Sequence, residues 1–405
     1  MPEARQSLAS SGTARDTSSK MALYYVPAVM AMAALGLASR VEGPGNRPIT
    51  PGWPCPIQSQ IAPCTCFMDT VYRLFMDCSL ANSEEELERI FSSIFPFKDF
   101  YELRIEHNPE DADNVIDKIT ADTFADLTFK RIIITGTRLQ NIIDEAFADS
   151  HKTLSYLDLS SNLLHTFPFE SLSLYENLAT FILDDNQFPD LFDIESLSLQ
   201  IFSASGNHNM RMNSPKPFQG APSLRELYLS EIGLTTLRTG LFNSLTQMEV
   251  VDFSKNHLTR LEQDAIRVDG FTLKHVIFDD NQIFNISHDS LIGFRENATL
   301  SMVANNVVKL FEYDWKHIFE QITWRETIDL KGNNLLCGCD MDWLFMQYKE
   351  EYLCRLTDTT RCSSSGNEQV IFIDVDTYCQ QCAESFLSCP PQTDCKNPVT
   401  LPYHY

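Results

Sequence analysis

Along the middle of the chain, apolar residues return in one fixed arrangement. It reads clearly at Leu154, Leu157, Leu159 and Leu164, with Asn162 standing between the last two. It returns as Leu178, Phe181, Leu183, Asn186 and Phe188. Further copies centre on Asn207, Ile232, Asn256, Asn281, Asn305 and Asn333, and two upstream copies on Asn108 and Thr137. The step between markers is mostly 24 or 25 residues, with 29 at the first step, 21 at Asn207 and 28 at the last. The apolar-x-apolar element has period two, which predicts a short strand with its apolar side chains on one face. Each copy then turns back and adds one parallel strand beside the last. The marker asparagine both donates and accepts, so a buried Asn at that turn can pair backbone groups of its own and the adjacent copy. Unpaired, such groups would cost about 1–3 kcal/mol each. Ile232 cannot serve this way, so another group or a water must substitute there.

Ten copies at this period define a leucine-rich repeat. The predicted fold is an α/β solenoid, a curved horseshoe of about ten repeats with cysteine caps at both ends. A single repeat cannot bury its own apolar face, and stacking makes the core. Phe124, Phe147, Phe169, Phe242, Ile266 and Ile292, in the second halves of the repeats, are expected to stack on the convex side. Strands about 4.8 Å apart give a concave sheet roughly 45 Å long.

That register places chemistry on the concave face. Asp158, Asp184, Asp185, Glu231, Asp252, Asp279, Asp280 and Asp329 would form an acidic stripe. Tyr156, Tyr228, His275 and Ile277 share the face and are candidate contact points for a partner. Solvated aspartates are common at such positions; the sharper alternative is a face for a basic partner, or a weak calcium site.

Composition narrows the class. The formal net charge of −24 excludes nucleic acid and anionic membranes as natural partners. Twelve cysteines fall in two clusters, four from Cys55 to Cys78 and eight from Cys337 to Cys395, with none between. That distribution fits terminal disulfide clusters in an oxidising compartment. Residues 21–38 read as the apolar part of a secretory leader, cleaved after Ala38; an uncleaved signal anchor is the rival reading. The predicted organisation is a leader over 1–38, a Pro/Gly-rich spacer over 39–54, a front cap over 55–99, repeats over 100–336, a rear cap over 337–382 and a cysteine-containing tail over 383–405. Asn285 and Asn297 head N-glycosylation sequences. No catalytic motif is present: there is no Gly-x-Ser-x-Gly, no His-Glu-x-x-His and no phosphate loop. The nine histidines show no zinc-ligand spacing, and no catalytic residue, metal or cofactor is expected.

The cysteine segments resemble the caps of extracellular leucine-rich-repeat proteins. At the front stand Cys55-Pro56, Cys64-x-Cys66 and Cys78; at the rear NNLLCGCDMDWL (333–344) is followed by Cys362 and Cys379. The resemblance implies Cys55–Cys66, Cys64–Cys78, Cys337–Cys362 and Cys339–Cys379, with a short helix starting at Trp343 and Leu344. Cys354, Cys382, Cys389 and Cys395 remain for two further bonds, or for an intermolecular one. Together with ELERIFSSIFPF (86–97), LLHTFPFESLS (163–173) and AFADSHKTLSYLDLSSN (146–162), these segments are similar to a group of secreted arthropod leucine-rich-repeat proteins. That group is typified by the non-catalytic subunit of the Oplophorus luciferin monooxygenase. The resemblance runs from about Cys55 to Cys379 and supplies no catalytic residue. The expected role is a secreted binding or scaffold protein that offers its concave sheet to an extracellular protein partner. The alternatives are an accessory subunit of a secreted luciferase or monooxygenase-like complex, and a membrane-tethered adhesion or recognition receptor.

Overall fold

The computed structural model describes residues 53–382, apart from 111, 144, 348–351 and 364–367. They lie in the second of the chain's two units, Pro51–Tyr405; the leader, most of the spacer and the tail lie outside the described residues. Among the described residues, no helix is long and apolar enough to cross a membrane.

One sheet of twelve strands organises the fold. It opens with an antiparallel hairpin, Thr65–Met68 against Leu74–Asp77, and every later strand joins in parallel, ending at Ile328–Asp329. Register holds across the sheet. Leu103, Ile132, Leu157, Phe181, Phe202, Leu227, Val251, Val276, Leu300 and Ile328 follow one another as direct partners, and all point into the core. On the return side, two-residue strands also pair from coil to coil, such as Arg260–Leu261 with Asn285–Ile286. Phenylalanines fill the space between. Phe124 stacks on Phe147 at 5.9 Å, and Phe181 packs on Phe202 at the same distance. Ile292 is half-exposed and does not join this column; its neighbour Leu291 takes the core position.

The marker asparagines form the expected column. Asn162, Asn186, Asn207, Asn256, Asn281, Asn305 and Asn333 are all buried. Asn281 shows the pattern: its amide donates to the Phe253 carbonyl of the coil before (2.9 Å) and to Phe278 (3.0 Å), while its oxygen accepts from Leu258 N–H (3.0 Å). Thr137 joins the column through its hydroxyl, which donates to Asn162 Oδ1 (2.6 Å) and accepts from Leu139 N–H (3.1 Å). Asn108 does not join it. It is exposed and accepts from Glu110 N–H, in the 29-residue step where the coil is widened.

Covers close the two ends of this core, which would otherwise expose an apolar edge. At the front, Ser83 caps the helix Glu84–Phe91, its side chain accepting from Glu86 N–H (3.3 Å). That helix buries Leu87, Ile90 and Phe91, and Phe91 meets Phe124 edge-on at 5.1 Å. Cys55 is bonded to Cys66, and Cys64 to Cys78. At the rear, Trp343 donates to the Leu310 carbonyl (2.8 Å) and meets Phe319 edge-on. Cys337 is bonded to Cys362. The Cys339–Cys379 bond implied by resemblance is not formed: Cys339 is bonded to Cys382. Cys379 lies in the helix Val375–Gln381 and Cys382 caps its end, one turn on; Cys379 and Cys354 are engaged in other disulfides.

Candidate binding face of the sheet

The strands leave one face of the sheet uncovered, and two rows of side chains line it. The first runs Glu102, Arg131, Tyr156, Thr180, Ile201, Glu226, Val250, His275 and Thr299. The second runs Arg104, Ile133, Asp158, Ile182, Ser203, Tyr228, Asp252, Ile277, Ser301 and Asp329. From Arg131 to Thr299 the first row is half-exposed throughout.

The rows are charged unequally along the sheet. Near the front, Glu102 is held between Arg104 (2.7 Å) and Arg131 (3.0 Å), and the Arg131 guanidinium lies 3.7 Å from the Tyr156 ring centroid. Beyond it the carboxylates have no such countercharge. Among the described residues, no ion pair reaches Asp158, Asp184, Asp252, Asp279 or Asp329. Hydroxyls and backbone amides support them instead. Asp184 accepts from Ser203 Oγ (2.5 Å) and Ser205 N–H (2.8 Å), and Asp279 from Ser301 Oγ (2.6 Å) and Val303 N–H (2.8 Å). Burial pushes the Asp184 carboxyl up to about 7 despite these bonds, and it raises Asp252 and Asp279 as well. A cation brought to this face would find carboxylates that gain from its approach.

The candidates named from the sequence separate into three groups. Tyr156, Asp158, Asp184, His275, Ile277 and Asp279 lie on the open face and are half-exposed. Tyr156 Oη donates to Asp158 Oδ2 (3.3 Å), and His275 Nδ1 pairs with Thr299 Oγ1 (2.8 Å). Tyr228 and Asp252 lie in the same row but are buried, contrary to the expectation of solvent-facing contacts. Tyr228 Oη donates to Glu226 Oε2 (2.8 Å). Asp185, Glu231 and Asp280 are not on the strand face. They occupy one column of left-handed residues, φ between 52° and 57°, immediately before the marker position of each coil. They are exposed there, as the turn requires. Among the described residues, no three carboxylates of the open face bring ligand atoms within 4.8 Å of one another.

One feature lay outside the sequence reading. At the leading edge of the sheet a largely apolar cleft of about 820 Å³ is lined by Trp53, Met68, Phe97, Tyr101, Lys130 and Asn177, among others. Trp53 packs edge-on against Phe97 at 5.0 Å, and Arg73 covers the Tyr101 ring at 4.3 Å. Trp53 sits at the end of the segment read as a flexible spacer. The glycosylation candidates are both reachable: Asn285 is exposed, and Asn297 is half-exposed on a bulge. Phe294 pairs with Leu273 and Thr299 with His275, so the residues between are pushed out of the ladder.

No family model matches the chain. It is 31% identical over 335 residues to the Oplophorus-luciferin 2-monooxygenase non-catalytic subunit of Oplophorus gracilirostris, a match covering 81% of this chain and 88% of that protein. It is 24% identical over 248 residues to Toll-like receptor 2 of Bos taurus, covering 59% of this chain and 30% of the receptor. The chain thus spans less than a third of the receptor's length. Among solved structures it is similar to one of the Toll–Spatzle complex of Drosophila (TM-score 0.44, 18% identity, 69% of this chain and 38% of the other). A leucine-rich-repeat domain of APL1B is also similar (TM-score 0.42, 16% identity, 62% and 79%). With its strand-and-asparagine solenoid and a relative matched over most of both lengths, the chain belongs to the family of the Oplophorus-luciferin 2-monooxygenase non-catalytic subunit.

Proposed function

We propose that this chain is a secreted, non-catalytic leucine-rich-repeat scaffold that binds an extracellular protein through the open face of its sheet. The observation that carries this reading is the half-exposed row from Arg131 to Thr299, running beside carboxylates without countercharges. A rigid sheet with side chains already held by neighbours loses little entropy on binding. The uncompensated carboxylates favour a partner with a basic patch. The disulfides at both ends support an oxidising, extracellular setting. Sugars on Asn285 and Asn297 would mark surface that the partner leaves uncovered. If 22–38 is retained, the same face would serve a membrane-tethered receptor.

A second reading follows from the family. The Oplophorus relative is named a non-catalytic subunit, which supports a role for this chain as the accessory subunit of a secreted luciferase or monooxygenase-like complex. Purification of the native protein from secretions under mild conditions separates the two. A stoichiometric small oxidase travelling with the chain establishes the accessory role; a non-enzymatic partner establishes the scaffold. A protein that sediments alone, with no cross-linked partner, overturns both.

A further inference from the structure

In a solenoid, side chains about one coil apart in sequence become neighbours in space. The nine histidines look scattered along the sequence, yet this geometry gathers two of them with a carboxylate. His288 and Asp289 lie in the turn between the short strands Asn285–Ile286 and Leu291–Ile292. His317 lies on the helix Glu312–Gln321 of the next coil. The ligand atoms of the three residues all fall within 4.8 Å of one another.

Each ring is arranged for coordination. His288 stacks on Tyr313 with centroids 4.5 Å apart, and its Nδ1 lies 2.7 Å from the Tyr313 carbonyl. A carbonyl only accepts, so Nδ1 donates to it, which leaves Nε2 as the nitrogen open to a metal. Proteins commonly orient and polarise a metal-binding imidazole in this way. That Nε2 is 3.4 Å from Asp289 Oδ2. Two ligands of a tetrahedral zinc ion, with bonds of about 2.0–2.1 Å, stand about 3.3 Å apart.

His317 supplies an independent observation. It is only 7% exposed, and neither ring nitrogen makes a hydrogen bond of good geometry, although the Asp314 backbone lies near enough to act on the ring. Its ring meets that of His288 edge-on, centroids 5.6 Å apart. A buried imidazole without a well-formed hydrogen bond has surrendered its water for little in exchange. A metal ion beside His288 and Asp289 supplies a partner.

We propose that His288, Asp289 and His317 form a zinc site that ties the 285–292 turn to the helix of the following coil. Two imidazoles and one carboxylate suit a borderline transition metal and not calcium or magnesium, which take oxygen ligands. Three protein ligands leave a fourth position for water or for a donor from outside the chain.

The test uses the full-length chain without a histidine tag, stripped with a chelator and then titrated with zinc chloride. Calorimetry should find one zinc ion per chain, and the melting temperature should rise with zinc and fall again with chelator. His317→Leu, which replaces a buried ring by a buried apolar group, should fold without zinc and lose the thermal response. His288→Gln, at a more exposed position, should weaken zinc binding by about 10-fold or more and guards against misfolding of the first variant. Equal zinc binding by wild type, His317→Leu and His288→Gln would overturn the site, as would wild-type protein that takes up no zinc.

Discussion

Asn256 accepts hydrogen bonds from the backbone N–H of Ile232 (3.2 Å) and of Leu234 (2.9 Å), so the coil that lacks a marker asparagine is held by the asparagine of the next. The same side chain donates to the carbonyls of Leu229, Phe253 and Ser254. Isoleucine at 232 leaves an apolar, fully buried side chain where an amide would otherwise stand. The turn survives because its N–H groups reach one coil forward.

Asn256→Ala should therefore destabilise the protein by about 2–4 kcal/mol, since several buried backbone groups lose their only partner. Denaturant unfolding followed by a core probe measures this. A loss under about 1 kcal/mol would mean that water replaces the amide at no net cost.

How far the sequence discloses this molecule depends on which constraint a position answers to. The core column from Leu103 to Ile328 was legible because burial demands an apolar side chain at a fixed period. The asparagine column was legible because few side chains can both donate and accept inside a turn. The left-handed column was not. Asp185, Glu231 and Asp280 carry the same chemistry as strand-face aspartates, and only backbone geometry separates them. Tyr228 was misjudged for another reason: alternation places it on the open face, but neighbouring side chains decide whether solvent reaches it. The His288–His317 pairing was hidden because no contiguous motif spans two coils and the 29-residue separation departs from the usual 24- or 25-residue step.

Asp184 gives the protein a predictable response to pH. Its folded carboxyl sits at about 7, above the ordinary 3.8, so its protonated form favours folding. That contribution is complete below about pH 4 and is lost as pH rises through 7. Asp184→Asn keeps an acceptor for Ser203 and Ser205 without the charge. The variant should match wild type near pH 4 and exceed it above pH 7, by at most about 4 kcal/mol. Unfolding free energies across this range check the sign; a variant less stable at pH 8 than wild type would contradict it.

Gly136 belongs to the left-handed column at φ 68°, and a Cβ there would lie 1.9 Å from the His107 carbonyl oxygen. Backbone cannot step aside as a side chain can. Gly136→Ala should cost about 2–4 kcal/mol. Ala304→Gly, in the same column at φ 53°, should change stability by less than about 1 kcal/mol. Thermal melts of the two variants make the comparison, and similar melting temperatures would contradict it.

The rear cover should yield a peptide joining Cys339 to Cys382 when the native protein is digested without reduction. Replacing both residues by serine should lower stability by about 2–4 kcal/mol. A Cys339–Cys379 peptide would contradict the described arrangement.

The open face itself is tested by substitutions that leave the core untouched. Thr180 and Val250 are half-exposed in its first row, whereas Glu170 and Asp193 are exposed in return segments outside the sheet. The measurement is recovery of the native partner on purified chain carrying Thr180→Arg with Val250→Arg, set beside chain carrying Glu170→Arg with Asp193→Arg. Loss of the partner from the first pair and its retention by the second is the expected result; retention by the first and loss from the second would place the binding surface elsewhere.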